Sequence, residues 1–251
     1  MSEDALRLPD RVKACLFDLD GVLTETATVH AAAWREMFDD YLRARARGTG
    51  EEFVPFDPVA DYDEYVDGRP REDGTRAFLE SRGIQLPEGG PDDPPDAETI
   101  HALSNRKNEL VLRKIQEGGV EAYPGSVRFL RAVHAAGLPT AVVSSSANCA
   151  QVVRSVGLDD LLDVRVDGVV AQQQHLAGKP APDTYLAAAR MLGVEPAAGA
   201  VFEDALAGVS SGKAAGFGFV VGVDRVGQAD ELRAHGADIV VQDLAELLES
   251  R

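Results

Sequence analysis

Cysteine, tryptophan, lysine and positive charge are all scarce in this 251-residue chain. Two cysteines, Cys15 and Cys149, cannot build the disulfide framework of a secreted domain, and neither has partners at metal-ligand spacing. Both read as small buried side chains in a reducing, cytoplasmic setting. The single tryptophan, Trp34, reads as core packing rather than a ligand platform. Lys+Arg number 25 against 42 Asp+Glu, a formal net charge of −17. That balance argues against nucleic acid or an anionic membrane as a partner. Only five of the basic residues are lysines, so a lysine inside a motif stands out.

Long apolar runs are missing too. The stretch from Met1 to Arg11 is polar and acidic, with no apolar signal region. Residues 132–153 carry no Asp, Glu, Lys or Arg. They are broken by His134, Gly137, Pro139, Ser144, Ser145, Ser146, Asn148 and Gln151, which suits a buried strand and polar loop better than a span of about 20 residues. What is present, 45% apolar and 27% charged residues, is the balance of a soluble globular protein. The length allows one large domain or two small ones.

Short Val- and Ala-rich runs predict buried strands at Val12–Phe17, Thr140–Val143, Val164–Val170, Ala200–Phe202, Phe219–Val223 and Ile239–Val241. Helical patterns lie between the later ones, at Ser126–Ala136, Cys149–Val156, Asp183–Leu192, Ala205–Ala215 and Asp230–His235. This alternation predicts a parallel sheet covered on both faces. Residues 27–120 differ: helical segments at Thr28–Ala46, Tyr62–Val66, Arg71–Ser81 and Glu98–Gln116, no convincing strand, and a helix-breaking linker from Gly89 to Pro95. The fold class is therefore α/β, a Rossmann-like parallel sheet core (1–26 and 121–251) with an inserted α-helical cap domain (27–120). Such an insert is expected over the carboxyl ends of the strands, where ligands bind in open α/β sheets.

Four polar signals follow predicted strands. The first strand runs into Phe17-Asp18-Leu19-Asp20-Gly21, two carboxylates in one loop that need a cation or a shared proton. Alone, this is also an ordinary turn composition. Thr140–Val143 leads into Ser144-Ser145-Ser146-Ala147-Asn148, hydroxyls at a helix start that suit a phosphate. Gly178-Lys179-Pro180-Ala181-Pro182-Asp183 sets a scarce lysine in a stiff loop, with Asp183 read as the N-cap of the next helix. Val201-Phe202 leads into Glu203-Asp204, hard oxygen ligands that suit Mg²⁺.

In this order the signals resemble the haloacid dehalogenase superfamily of aspartyl-phosphate enzymes, over nearly the whole chain. The resemblance implies Asp18 as nucleophile and Asp20 as general acid and base. It implies Ser144 and Lys179 as holders of the phosphoryl oxygens. It places Mg²⁺ between the Asp18 carboxylate, the Asp20 main-chain carbonyl and Asp204, with Glu203 close by.

Within that superfamily the insert is similar to the β-phosphoglucomutase branch. The stretch Asp18–Ala27, then Val29-His30 and Trp34, keeps that branch's spacing. Thr26 and His30 fall on hinge and proton-handling positions, although read alone His30 is an ordinary polar helix residue. Gly68-Arg69-Pro70-Arg71 resembles the branch's substrate-reading loop. Arg71 sits where a guanidinium grips the phosphate that is not transferred. Ser145 belongs to the phosphate-facing serine loop, and Ser146 and Asn148 match core residues that meet the same phosphate. Two departures matter: Asp67 and Ala147 stand where the branch has lysines. Glu25 replaces an aspartate, and Arg43–Ala60 is longer than usual.

The expectation is thus Mg²⁺-dependent phosphoryl transfer on a small phosphorylated substrate of hexose phosphate size. It converts β-glucose 1-phosphate to glucose 6-phosphate, or, as the alternative, hydrolyses phosphomonoesters. Hinges are expected near Thr26–Thr28 and Glu121–Pro124, and a monomer is favoured over an oligomer. Between Asp39 and Glu98 lie 17 acidic and 7 basic residues, so −10 of the −17 falls in the insert. Its acidity reads as a solvated helical surface, with Arg71 and Lys179 supplying local positive charge.

Overall fold

A computed structural model describes residues 5–249. Its strands are β1 (Ala5–Leu6), β2 (Ala14–Phe17), β3 (Thr140–Val143), β4 (Val164–Val166), β5 (Gly199–Glu203), β6 (Phe219–Val223), β7 (Ile239–Val241) and β8 (Leu248–Glu249). Its α-helices are α1 (Ala27–Thr49), α2 (Arg71–Ser81), α3 (Ile100–Gly118), α4 (Pro124–Ala135), α5 (Cys149–Ser155), α6 (Gly168–Gln173), α7 (Asp183–Leu192), α8 (Leu206–Ala214) and α9 (Ala229–Ala234). Two compact units result, one holding the residues up to Glu25 and from Val120 onward, the other Thr26–Gly119.

The first unit is a six-stranded parallel sheet in the order β4-β3-β2-β5-β6-β7. Every residue of β2, β3, β5 and β6 is buried, which is why these strands read as unbroken apolar runs and not as alternating ones. Phe17 on β2 stacks on Phe202 of β5 at 4.6 Å between ring centroids, and Phe129 of α4 meets both edge-on. The chain leaves β2 toward β3 and β4 on one side and returns to β5 on the other. The sheet therefore has its topological switch point at the carboxyl ends of β2 and β5, where such folds bind ligands.

The chain segments that leave and re-enter this unit pair with each other. Glu25 N–H donates to Glu121 O at 2.9 Å and Tyr123 N–H to Leu23 O at 3.1 Å. Thr24 and Ala122 form an antiparallel bridge.

The second unit is the helical insert, in which α1, α2 and α3 pack with a single π-helical turn at Tyr62–Val66. Its core holds Trp34, Met37, Phe38, Phe56, Phe78 and Leu103. The long Arg43–Ala60 stretch has a packing role. Helix α1 runs on to Thr49 and ends at Gly50, whose φ of 77° reverses the chain. The returning segment inserts Phe56 between Phe38 and Phe78, at 5.3 and 5.0 Å between centroids. Its N–H is taken up by the buried Asp39 carboxylate at 2.9 Å, and Arg43 holds the other oxygen at 3.2 Å.

Two sequence expectations need correction, and one element has no counterpart among them. The strand expected over Val164–Val170 stops at Val166, because the Asp167 carboxylate accepts the Val170 N–H at 2.9 Å and starts α6. Asp183 is the first residue of α7 and not its N-cap: Pro182 holds that place, with no side-chain cap bond. The β1–β8 pair was not anticipated, since two residues are too few to show a period. Among the described residues no helix is long and apolar enough to cross a membrane.

Candidate active site

The site begins where β2 ends. Asp18 is the next residue, and its N–H donates to Phe202 O of β5 at 2.9 Å, so its direction is set by the sheet. Its carboxylate, with those of Glu203 and Asp204 from the end of β5, forms a buried triad. One ligand oxygen from each lies within 4.8 Å of the others.

Lys179 ties this centre together. Its ammonium reaches Asp18 Oδ1 at 2.5 Å, Glu203 Oε1 at 2.5 Å and the Val143 carbonyl at 3.0 Å. Three N–H donors meet three acceptors, one from the carboxyl end of each of β2, β5 and β3. The lysine is 2% exposed and the Lys179–Pro180 peptide is cis. Its loop is held by the Ser211 hydroxyl of α8, which donates to Ala181 O at 2.6 Å.

Burial alone would push the Lys179 ammonium down, but Asp18 and Glu203 outweigh it and hold it above the ordinary lysine range. Burial pushes the Asp18 carboxyl up. Lys179 opposes that, and Glu203 and Asp20 add to it. Three buried carboxylates against one ammonium leave an excess of negative charge, and every donor in the triad is a hard oxygen. The residues present therefore fit a divalent cation.

Glycines make the close approaches possible. A Cβ at Gly208 of α8 would lie 1.9 Å from Glu203 Oε1, and one at Gly168 would lie 2.7 Å from Ser145 O. The latter contact backs the serine loop onto the end of β4. Ser144 N–H donates to Val166 O at 3.0 Å and Gly168 N–H to Ser146 O at 3.2 Å. Inside the loop, Ser144 Oγ accepts the Ser146 N–H at 3.0 Å and Ser146 Oγ accepts the Asn148 N–H at 3.2 Å. Each hydroxyl keeps its own proton to donate. Asn148 precedes α5 without a side-chain cap bond to it. Asp20 follows in the β2 loop, half-buried; its side chain is outside the triad, which a main-chain carbonyl ligand does not require.

The insert residues are placed within their own unit. Thr26 is buried and its carbonyl accepts the His30 N–H at 2.9 Å, so it starts α1. Gly68 has φ 69°, which leads the chain into α2. Arg71 opens α2 with Nε on Glu72 Oε1 at 2.9 Å. Trp34 is buried and stacks on Phe38, as a core residue should.

Two buried polar residues, one in each unit, escaped sequence reasoning. Lys107 of α3 is 5% exposed, with Nζ 3.0 Å from His30 Nδ1 and 4.6 Å above the Trp34 ring. As one of five lysines on an apolar helix face, it offered a signal. Tyr185 of α7, fully buried, donates its hydroxyl to Glu203 Oε1 at 2.7 Å. Burial and then Glu203 push its phenol well up, so it stays a donor.

A parallel α/β sheet whose switch point carries a buried Asp18, Glu203 and Asp204 cluster tied by Lys179 defines the class. Residues 12–216 match the haloacid dehalogenase-like hydrolase family, and the chain belongs to it. It is 58% identical to a β-phosphoglucomutase of Mycobacterium tuberculosis, over 97% of this chain and 94% of that one. It is 28% identical to hexitol phosphatase A of Escherichia coli, over 94% of each. A crystal structure of β-phosphoglucomutase from Clostridium difficile superposes with a TM-score of 0.73 at 26% identity, covering 94% of this chain and 93% of that one.

Proposed function

We propose that this protein is a Mg²⁺-dependent phosphotransferase that interconverts β-glucose 1-phosphate and glucose 6-phosphate. The observation that carries the chemistry is Lys179 joining Asp18 to Glu203 at the sheet's switch point. The likeness to β-phosphoglucomutases over nearly the full length supports the substrate. Asp18, Glu203 and Asp204, with the Asp20 carbonyl, would hold Mg²⁺, which offsets the charge between an anionic nucleophile and an anionic phosphate.

Asp18 attacks phosphorus, and the ester P–O bond breaks as Asp20 protonates the leaving oxygen. The ammonium of Lys179 then shifts from the Asp18 oxygen to a phosphoryl oxygen, with Ser144 donating to another. Asp20, now a carboxylate, takes the proton of an incoming sugar hydroxyl. That oxygen attacks phosphorus and Asp18 is released. Ser145, Ser146, Asn148 and Arg71 hold the phosphate that is not transferred, Gly68 shapes the loop that carries Arg71, and Thr26 and His30 serve the hinge and the proton relay. The helical insert acts as a cap that excludes water during the aspartyl-phosphate stage.

A second reading, a phosphatase in which water is the acceptor, is favoured by Asp67 and Ala147, which remove two cations from around the second phosphate. One assay separates the two. Given β-glucose 1-phosphate, Mg²⁺ and a trace of the 1,6-bisphosphate, the protein should form glucose 6-phosphate. Free phosphate without isomerised sugar would select the phosphatase instead.

A further inference from the structure

The loop between β6 and α9 touches the backbone of both carboxylate-bearing loops. Arg225 Nε donates to Gly21 O at 2.8 Å, in the peptide unit that joins Gly21 to Val22, one unit beyond the Asp20 carbonyl. Gln228 Nε2 donates to Asp204 O at 3.1 Å. The Asp224 carboxylate fixes the shape between them, accepting the N–H groups of Gly227 at 2.6 Å and Gln228 at 2.9 Å.

Arg225 is itself anchored on two further sides. Its Nη1 donates to Gln242 O at 2.8 Å, and its guanidinium lies 3.6 Å above the Tyr123 ring. Tyr123 in turn donates its N–H to Leu23 O of the same catalytic loop. Gly21 N–H closes the loop on Thr24 O at 2.8 Å, so both polar groups of Gly21 are held.

We propose that Arg225 is a positioning residue, and that the Asp224–Gln228 loop is a bracket setting the spacing between Asp20 and Asp204. Arg225 reaches no reacting atom. It fixes the carbonyl of Gly21, the residue that follows the proposed acid and base. A guanidinium can stack flat on a ring while its in-plane N–H groups reach two separated carbonyls, a span that the compact ammonium of a lysine does not reproduce.

This rests on the phosphoryl-transfer reading, and two measurements keep them apart. The first is turnover of p-nitrophenyl phosphate with Mg²⁺. A displacement of the acid by a fraction of an ångström costs rate more than affinity, so Arg225→Met should lower kcat about 30-fold with KM within about threefold. Arg225→Lys should recover part of the loss, and Arg233→Gln, on the exposed face of α9, should keep wild-type kcat and KM. The second is amide hydrogen exchange, which should quicken in the Asp18–Glu25 segment of Arg225→Met and not in the helical insert.

A folded Arg225→Met with wild-type kcat, a loss carried wholly by KM, or unchanged exchange in that segment overturns the proposal. Should Arg225→Met not fold, Gln228→Ala and Arg225→Lys are judged by the same two readouts. If the wild-type protein turns over no phosphomonoester, the function reading fails by itself, and exchange alone decides for or against the bracket.

Discussion

Gly21 and Asp204 cannot both keep their places if Gly21 gains a side chain. A Cβ there would lie 1.6 Å from Asp204 Oδ2, and the residue's φ of 82° disfavours any L side chain. The Asp-x-Asp-Gly loop and the second acidic loop are thus fitted to each other through a missing methyl group. Gly21→Ala should therefore move Asp204, weaken Mg²⁺ binding and lower turnover by about 100-fold or more. Calorimetric titration with Mg²⁺ beside a rate assay checks this; wild-type Mg²⁺ affinity in a folded Gly21→Ala protein would contradict it.

Lys179 predicts a stability effect as well as a catalytic one. Its removal as Lys179→Met leaves Asp18 and Glu203 buried without their cation, at about 3–5 kcal/mol for a broken buried pair. The ammonium is held above its ordinary range, so its contribution is full below that range and is lost only as pH rises through the raised value. The deficit in urea unfolding should then shrink as pH falls, because the orphaned Asp18 carboxyl, already pushed up by burial, protonates. Tyr185→Phe should cost less, about 1–2 kcal/mol, because Glu203 loses one neutral donor and keeps Lys179.

How much of this was legible depends on how local each cause is. Thr140–Val143, Phe219–Val223 and Ile239–Val241 are strands residue for residue, since short valine-rich runs of three to five residues between breakers admit little else. That Asp18, Lys179, Glu203 and Asp204 would meet was legible because each ends or directly follows a strand or sits in a stiff loop, and the parallel order brings strand ends together. Asp167 was missed because its capping bond, not the run of valines, decides where β4 ends. Tyr185 and Arg225 were illegible for a different reason: their partners lie 18 and 204 positions away, and nothing in the local pattern points to them. The purpose of the long Arg43–Ala60 segment emerged only once Phe56 was seen in the insert's core.

The two cysteines give a prediction that needs no substrate. Both are fully buried, and burial pushes the Cys15 thiol from an ordinary 9.0 up to about 12. Cys149 is pushed well up too, by burial first and then by Asp20, Asp167 and Asp18. Neither should react with a disulfide reagent in the native state, and both should in concentrated guanidinium. Between the ordinary and the raised values the unfolded chain ionises and the folded one does not. Folding stability should therefore fall as pH rises through roughly 9 to 12. Unfolding midpoints across that range test it, and Cys15→Ala should flatten the slope.

Phe56 should behave as a core residue although it lies in a surface-running segment. It is 1% exposed, wedged between Phe38 and Phe78, and its amide is fixed by the buried carboxylate of Asp39. Phe56→Ala removes a ring from a close-packed aromatic cluster and should destabilise the insert by about 3–5 kcal/mol. Asp39→Ala strands the Phe56 N–H, for about 1–3 kcal/mol, while the half-exposed Arg43 keeps Asp40 as a partner. The two losses should not add, because once Phe56 leaves the core its amide reaches water and no longer needs Asp39. A double-mutant cycle in urea measures the difference. Simple additivity would mean that Asp39 supports α1 by itself and does not seat the returning segment.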